Sequence, residues 1–141
     1  MSHDEILAFF AAQAQHWRDR NPEALARAHA PDGTIVSPIF RTVTGGEEIL
    51  ASYRALFAIF PDWDYRPEQL LIDGHGAAEP FTVVATHRGE FMGFPDTGKR
   101  FTIQGVRLYE MGDGLIARER RYYDFTGLLI QLGVLRGKPA T

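Results

Sequence analysis

Side chains recur at helical spacing from Asp4 to about Arg18, where Ile6, Phe10, Gln13/Ala14 and Trp17 share a stripe that Leu7 widens. Asn21-Pro22-Glu23 reads as an N-cap, a proline at the first helical position and an acid in the first turn. It predicts a second, short helix to His29. After the turn Pro31-Asp32-Gly33, the residues Thr34 to Pro38 read as a β-branched strand. Thr44-Gly45-Gly46-Glu47 has capping-box spacing, and Ile49, Tyr53, Leu56 and Phe60 predict a third helix that stops at Pro61.

Beyond Pro61 the period changes from helical to alternating. Trp63, Tyr65 and Pro67 alternate with polar residues, and Leu70 to Ile72 continue one long or broken strand. Pro80 to Met92, Lys99 to Met111 and Leu115 to Tyr123 read as three more strands, separated by the turns Gly93–Gly98 and Gly112-Asp113-Gly114. A short apolar helix is expected to start near Phe125. Helices followed by a meander of strands predict an α+β fold, with three N-terminal helices over a curved, mostly antiparallel sheet and one enclosed pocket. Residues 1–141 read as a single domain, without linker, repeat or low-complexity segment.

Alternation assigns faces. Phe81, Val83, Ala85, His87, Gly89 and Phe91 share one side, so His87 is expected to face the pocket. In the last strand Ile116, Arg118, Arg120, Tyr122 and Asp124 share a side, and one bulge would reverse that parity. Asp124 reads in two ways. It could cap the following helix, or it could be a carboxyl desolvated by aromatic neighbours and so suited to acid–base work. His87 is either a hydrogen-bonded core histidine or a functional one. Arg120, placed inward, calls for a carboxylate or an anionic ligand as its partner. Trp17, Tyr53, Phe57, Trp63 and Phe91 are the candidate substrate-binding aromatics.

Composition removes other chemistries. A formal net charge of −3 argues against a basic nucleic-acid surface, and the absence of cysteine removes thiol nucleophiles and thiolate metal sites. The five histidines have no metal-ligand spacing, the serines sit in no nucleophile elbow, and there is no phosphate-cradling glycine loop. No apolar run approaches the ~18 residues of a membrane span, and the first residues are acidic, so a soluble cytoplasmic protein is expected. The aromatic content, 12% with ten phenylalanines, suits a pocket for a small apolar organic ligand.

Thr86-His87-Arg88-Gly89-Glu90-Phe91-Met92-Gly93-Phe94-Pro95-Asp96-Thr97-Gly98-Lys99 resembles the G-T-H-x-G-x-F-x-G-x-P-x-T-G-[KR] stretch of SnoaL-like polyketide and ester cyclases. Gly114-Leu115-Ile116-Ala117-Arg118-Glu119, followed by Tyr122-Tyr123-Asp124 and Gly127-Leu128-Leu129-x-Gln131-Leu132-Gly133, resembles the C-terminal signature of that family. The resemblance implies the α+β cone of the nuclear transport factor two superfamily. It also implies a homodimer or higher homo-oligomer without metal or organic cofactor. At Asp124 it implies a general acid/base for an intramolecular aldol condensation, with His87 at a recurrent family position. The chain departs from the pattern at Ser37, where relatives often carry His or Asp, and at Arg120, where Trp is frequent. The aspartate that steroid isomerases place before the proline is Ser37 here, and Gly105-Val106-Arg107-Leu108-Tyr109 lacks the Arg-x-Asp of limonene epoxide hydrolases. A non-catalytic binding module and a related isomerase, dehydratase or epoxide hydrolase are the alternatives.

Overall fold

The computed structural model describes residues 1–136. Helix α1, His3–Arg18, opens with a capping box in which Ser2 and Glu5 exchange backbone bonds, and it buries Ile6, Phe10, Gln13 and Trp17. Helix α2, Pro22–Arg27, starts at the Asn21 cap, whose side chain accepts from the Ala24 amide. It stops short of His29, which begins strand β1, His29–Ser37. Strand β2, Arg41–Thr44, pairs with β1 and had no signal in the alternation. Helix α3, Gly46–Ile59, is capped by Gly45 without a side-chain bond, and Glu48, not Glu47, reaches back to the Thr44 amide.

The strands β3 (Asp64–Pro67), β4 (Leu71–Asp73), β5 (Gly76–Thr86), β6 (Arg100–Gly112) and β7 (Leu115–Tyr123) complete the sheet, and α4, Phe125–Gln131, follows. The order is β2-β1-β7-β6-β5-β3, with β4 beside β3 on β5. All pairings are antiparallel except β1 with β7. Pro80 lies inside β5. Its carbonyl accepts from Glu68 between β3 and β4, so its missing N–H also faces that break rather than β6. Strand β5 ends at Thr86, six residues earlier than the alternation suggests, and Phe91 instead bridges Phe94 in a tight loop.

The sheet is curved and unclosed, with helices over its inward face. Trp17, Ile35, Tyr53, Phe60, Trp63, Phe81 and Leu128 belong to the main core, and Ile6, Phe10, Tyr109 and Ile116 to a second cluster. Among the described residues no helix is long and apolar enough to cross a membrane.

One irregularity rearranges the inner face. Met111 pairs with Ile116 but Glu110 pairs with Arg118, so Ala117 is an extra residue in β7. Past this bulge the inward positions are Glu119, Arg121 and Tyr123, while Tyr122 is 51% exposed. The expected inward set Arg118, Arg120, Tyr122 and Asp124 is therefore reversed.

Candidate functional site

On the inward face, strands β6 and β7 carry charge into the core. Arg107 and Glu119 are 2% and 1% exposed, and Arg121 is also buried. The Nε of Arg121 donates to Oε2 of Glu119, and Arg107 Nη1 reaches the same oxygen at 3.5 Å. Arg107 is otherwise held by rings: its guanidinium carbon lies 4.2 Å from the Trp17 centroid and 4.5 Å from that of Tyr65. Tyr65 donates its hydroxyl to Glu79 Oε1 at 2.5 Å.

Arg121 also donates through Nη2 to the Tyr53 hydroxyl at 3.2 Å. That hydroxyl then has its proton free for His29 Nε2, 3.0 Å away, which leaves His29 neutral with its own proton on Nδ1. Burial, helped by Arg121 and Arg107, pushes His29 down to about 4 against the pull of Glu119. Burial acts to raise Glu119, but the Arg121 and Arg107 guanidiniums outweigh it and hold the carboxyl below its usual value. Glu79 moves the other way: burial raises it more than Tyr65 and Arg107 lower it.

Above this network lies an enclosed, mostly apolar cavity. Ser37, Ile39, Phe40, Leu56, Trp63, Phe81, Ile103, Arg107, Arg121 and Tyr123 wall it. Its free volume is about 10 Å³, close to the space one water needs. Two wall residues carry a buried N–H with no partner among the described residues, Arg107 at Nε and Trp63 at Nε1. Gly105 shapes the wall from beneath, because a Cβ there would lie 2.8 Å from both Phe81 Cζ and Tyr123 Cβ.

The expected site residues fall into four places. Trp63 is on the cavity wall, Tyr53 is in the ion network, and Trp17 joins them by stacking on Arg107, with Phe57 behind it at 6.1 Å. His87 is on the inward face and wholly buried, but beside a different group of rings, 6.0 Å from both Phe60 and Phe91. Its Nδ1 accepts from the Thr97 amide at 3.3 Å and meets the Thr97 hydroxyl at 2.9 Å, which puts its proton on Nε2. Phe91 belongs to this second group and is not on the cavity wall.

Asp124 is placed differently from expectation. It is exposed and caps α4, its Oδ1 accepting from the Gly127 amide at 2.8 Å, in a surface depression with Thr102, Gln104 and Gln131. It makes no hydrogen bond to His87. Arg120 sits on the outer face of the sheet near Leu71 and Glu110, so it neutralises neither Asp124 nor a ligand in the cavity. Both displacements follow from the Ala117 bulge.

Sequence reasoning missed Arg107, Glu119, Arg121 and Tyr123. One signal was present: Phe101, Ile103, Arg107, Tyr109 and Met111 alternate on one side, which places Arg107 among apolar residues.

A family model described as SnoaL-like polyketide cyclase matches residues 9–132. No curated protein matches the sequence. Among solved structures, TsrD from Streptomyces laurentii superposes with a TM-score of 0.83 at 22% identity, covering 96% of this chain and 99% of TsrD. AclR from Streptomyces galilaeus gives 0.82 at 25% identity, over 98% of this chain and 91% of AclR. IdmH from Streptomyces antibioticus gives 0.73 at 26% identity, over 90% and 97%. An NTF2-like protein of unknown function from Burkholderia pseudomallei K96243, 16% identical with a TM-score of 0.79 over 94% and 98%, shares the fold.

Proposed function

The chain belongs to the SnoaL-like polyketide cyclase family, and from that membership we propose that it takes a small, largely apolar carbonyl compound of polyketide type into the cavity beside Trp63. There Arg107, Arg121 and the Trp63 indole N–H stabilise the oxygen as it gains negative charge in an enolate. Donors fixed in a dry site before the reaction need no reorganisation when charge develops, which is the largest single source of rate in many enzymes. An intramolecular aldol ring closure is a reaction of this kind: the α-proton passes to water, the C–H electron pair becomes the enolate, the enolate carbon attacks a second carbonyl carbon, and the new alkoxide takes a proton back from water. The observation that carries the reading is the pair of unpartnered N–H groups on Arg107 and Trp63, two residues that wall a mostly apolar cavity.

A ring-sized ligand enters only if the cavity opens. The strap between β1 and β2 supplies Ile39 and Phe40, both half-buried, as the movable part of the wall. An acid/base role for Asp124 requires its carboxylate to leave the Gly127 amide and turn from solvent.

A second reading, a binding protein without turnover, is favoured by one feature. Among the described residues no free carboxylate lines the cavity, and Glu119 beneath it is tied to two arginines. Proton exchange separates the two readings. With β-tetralone in deuterium oxide, an enzyme of this type accelerates exchange of the α-hydrogens over buffer, and Arg121→Gln lowers that by roughly 10²-fold, the size of one lost oxyanion donor. Binding without acceleration selects the binding protein; neither binding nor exchange removes the cavity as the site.

A further inference from the structure

We propose that the carbonyl compound taken by this cavity also carries a carboxylate, an aromatic or polycyclic acid held by Arg107, rather than being its neutral ester. The inference rests on the cavity being the ligand site and adds the charge of what fills it. Two guanidiniums stand at the wall, and both turn to one oxygen, Oε2 of Glu119. Arg121 is closely paired there, while Arg107 is the more distant partner at 3.5 Å. His29 contributes no charge, since its Nε2 accepts from Tyr53. Glu79 is turned to the Tyr65 hydroxyl instead of to Arg107.

Arginine stays charged at any ordinary pH, so two guanidiniums share the one carboxylate that hydrogen-bonds them, Glu119, and Arg107 holds it at the longer distance. An unbalanced charge out of water is costly, and a ligand carboxylate offsets that cost. The free edge has the matching shape. Nη1 of Arg107 is used on Glu119, leaving Nε–H, which with a terminal nitrogen forms the side-on fork that fits a carboxylate. The Trp63 indole N–H is a second donor on the same wall, and Phe81, Leu56 and Ile103 suit an apolar ring system.

Calorimetric titration of the full chain near neutral pH with 1-naphthoate and with methyl 1-naphthoate tests this. The two differ in charge and hardly in shape. The expected result is tighter binding of the acid by about tenfold or more, the gap between a charge-assisted and a neutral hydrogen bond. Arg107→Gln should remove most of that preference, whatever it does to the affinity for the ester, and Arg107→Lys should restore part of it, as a charge without the fork. Equal or tighter binding of the ester by the unaltered chain overturns the carboxylate assignment and leaves the cavity as the site. Binding of neither compound overturns both. The comparison of the two compounds on the unaltered chain needs no variant, so it stands even if Arg107→Gln does not fold.

Discussion

Arg107 on β6 reaches Glu119 on β7 across the sheet at 3.5 Å, with both side chains almost wholly removed from water. The strand register places them two steps along the pair, since Arg107 faces Arg121 and Tyr109 faces Glu119. Removing one member of a buried ion pair leaves the other uncompensated. Glu119→Gln strips the carboxylate from two guanidiniums at once and should cost about 3–5 kcal/mol in urea unfolding. A loss below about 1 kcal/mol would mean that water or another group already screens the arginines.

His29 sets the acid side of the stability profile. Its folded pKa lies near 4 against 6.5 when unfolded, so the unfolded chain binds the extra proton between those values. Its contribution is complete above pH 6.5 and is lost as pH falls towards 4, on the order of 3 kcal/mol in all. Glu79 works in the opposite sense: its raised pKa means stability declines as pH climbs above its usual 4.5. Thermal unfolding followed from pH 7 to 4 should show a fall in midpoint that is shallower in His29→Gln. Parallel curves for the two proteins would show that His29 is not the group responsible.

Asp124→Ala removes the cap of α4 and should lower stability by about 1 kcal/mol, with Asp124→Asn much milder because asparagine also caps. With the oxygen-stabilising donors elsewhere, Asp124→Asn should leave β-tetralone exchange close to unaltered. A drop of roughly 10²–10⁴ in exchange with unchanged stability would instead make Asp124 the acid/base.

Gly105 tests how tightly the cavity is built. A Cβ there would meet the Tyr122 carbonyl at 2.3 Å as well as Phe81 and Tyr123. Backbone cannot yield as a flexible side chain can, so Gly105→Ala should cost about 1–3 kcal/mol. It should also weaken binding of naphthoate, because two wall residues are displaced. Intact affinity in a destabilised protein would place the ligand elsewhere.

The helices were legible because their signals are local. Ile6, Phe10 and Trp17 on α1, and Ile49, Tyr53, Leu56 and Phe60 around α3, follow one stripe whatever the sheet does. The Asn21 cap and the order of the long strands were equally plain. The site was less so, since strand parity is a running count that one inserted residue reverses. Ala117 carries no mark of a bulge in its side chain, yet it exchanges Arg120 for Arg121 and Asp124 for Tyr123 at the inner face. The resemblance around His87 was equally silent on depth: the loop folds His87 against Thr97 and beside the rings of Phe60 and Phe91 rather than onto the arginine pair, a matter of tertiary packing.

The most direct test of the central claim, that the arginine-walled cavity is the ligand site, is a crystal structure of the chain with a brominated naphthoate. The anomalous signal of bromine marks the ring without ambiguity. The account predicts the ring between Trp63, Phe81 and Tyr123, with Phe40 displaced and the carboxylate at hydrogen-bond distance from Arg107. A ring seated in the surface depression beside Asp124, Thr102 and Gln131, with the Arg107 wall unchanged, would contradict it.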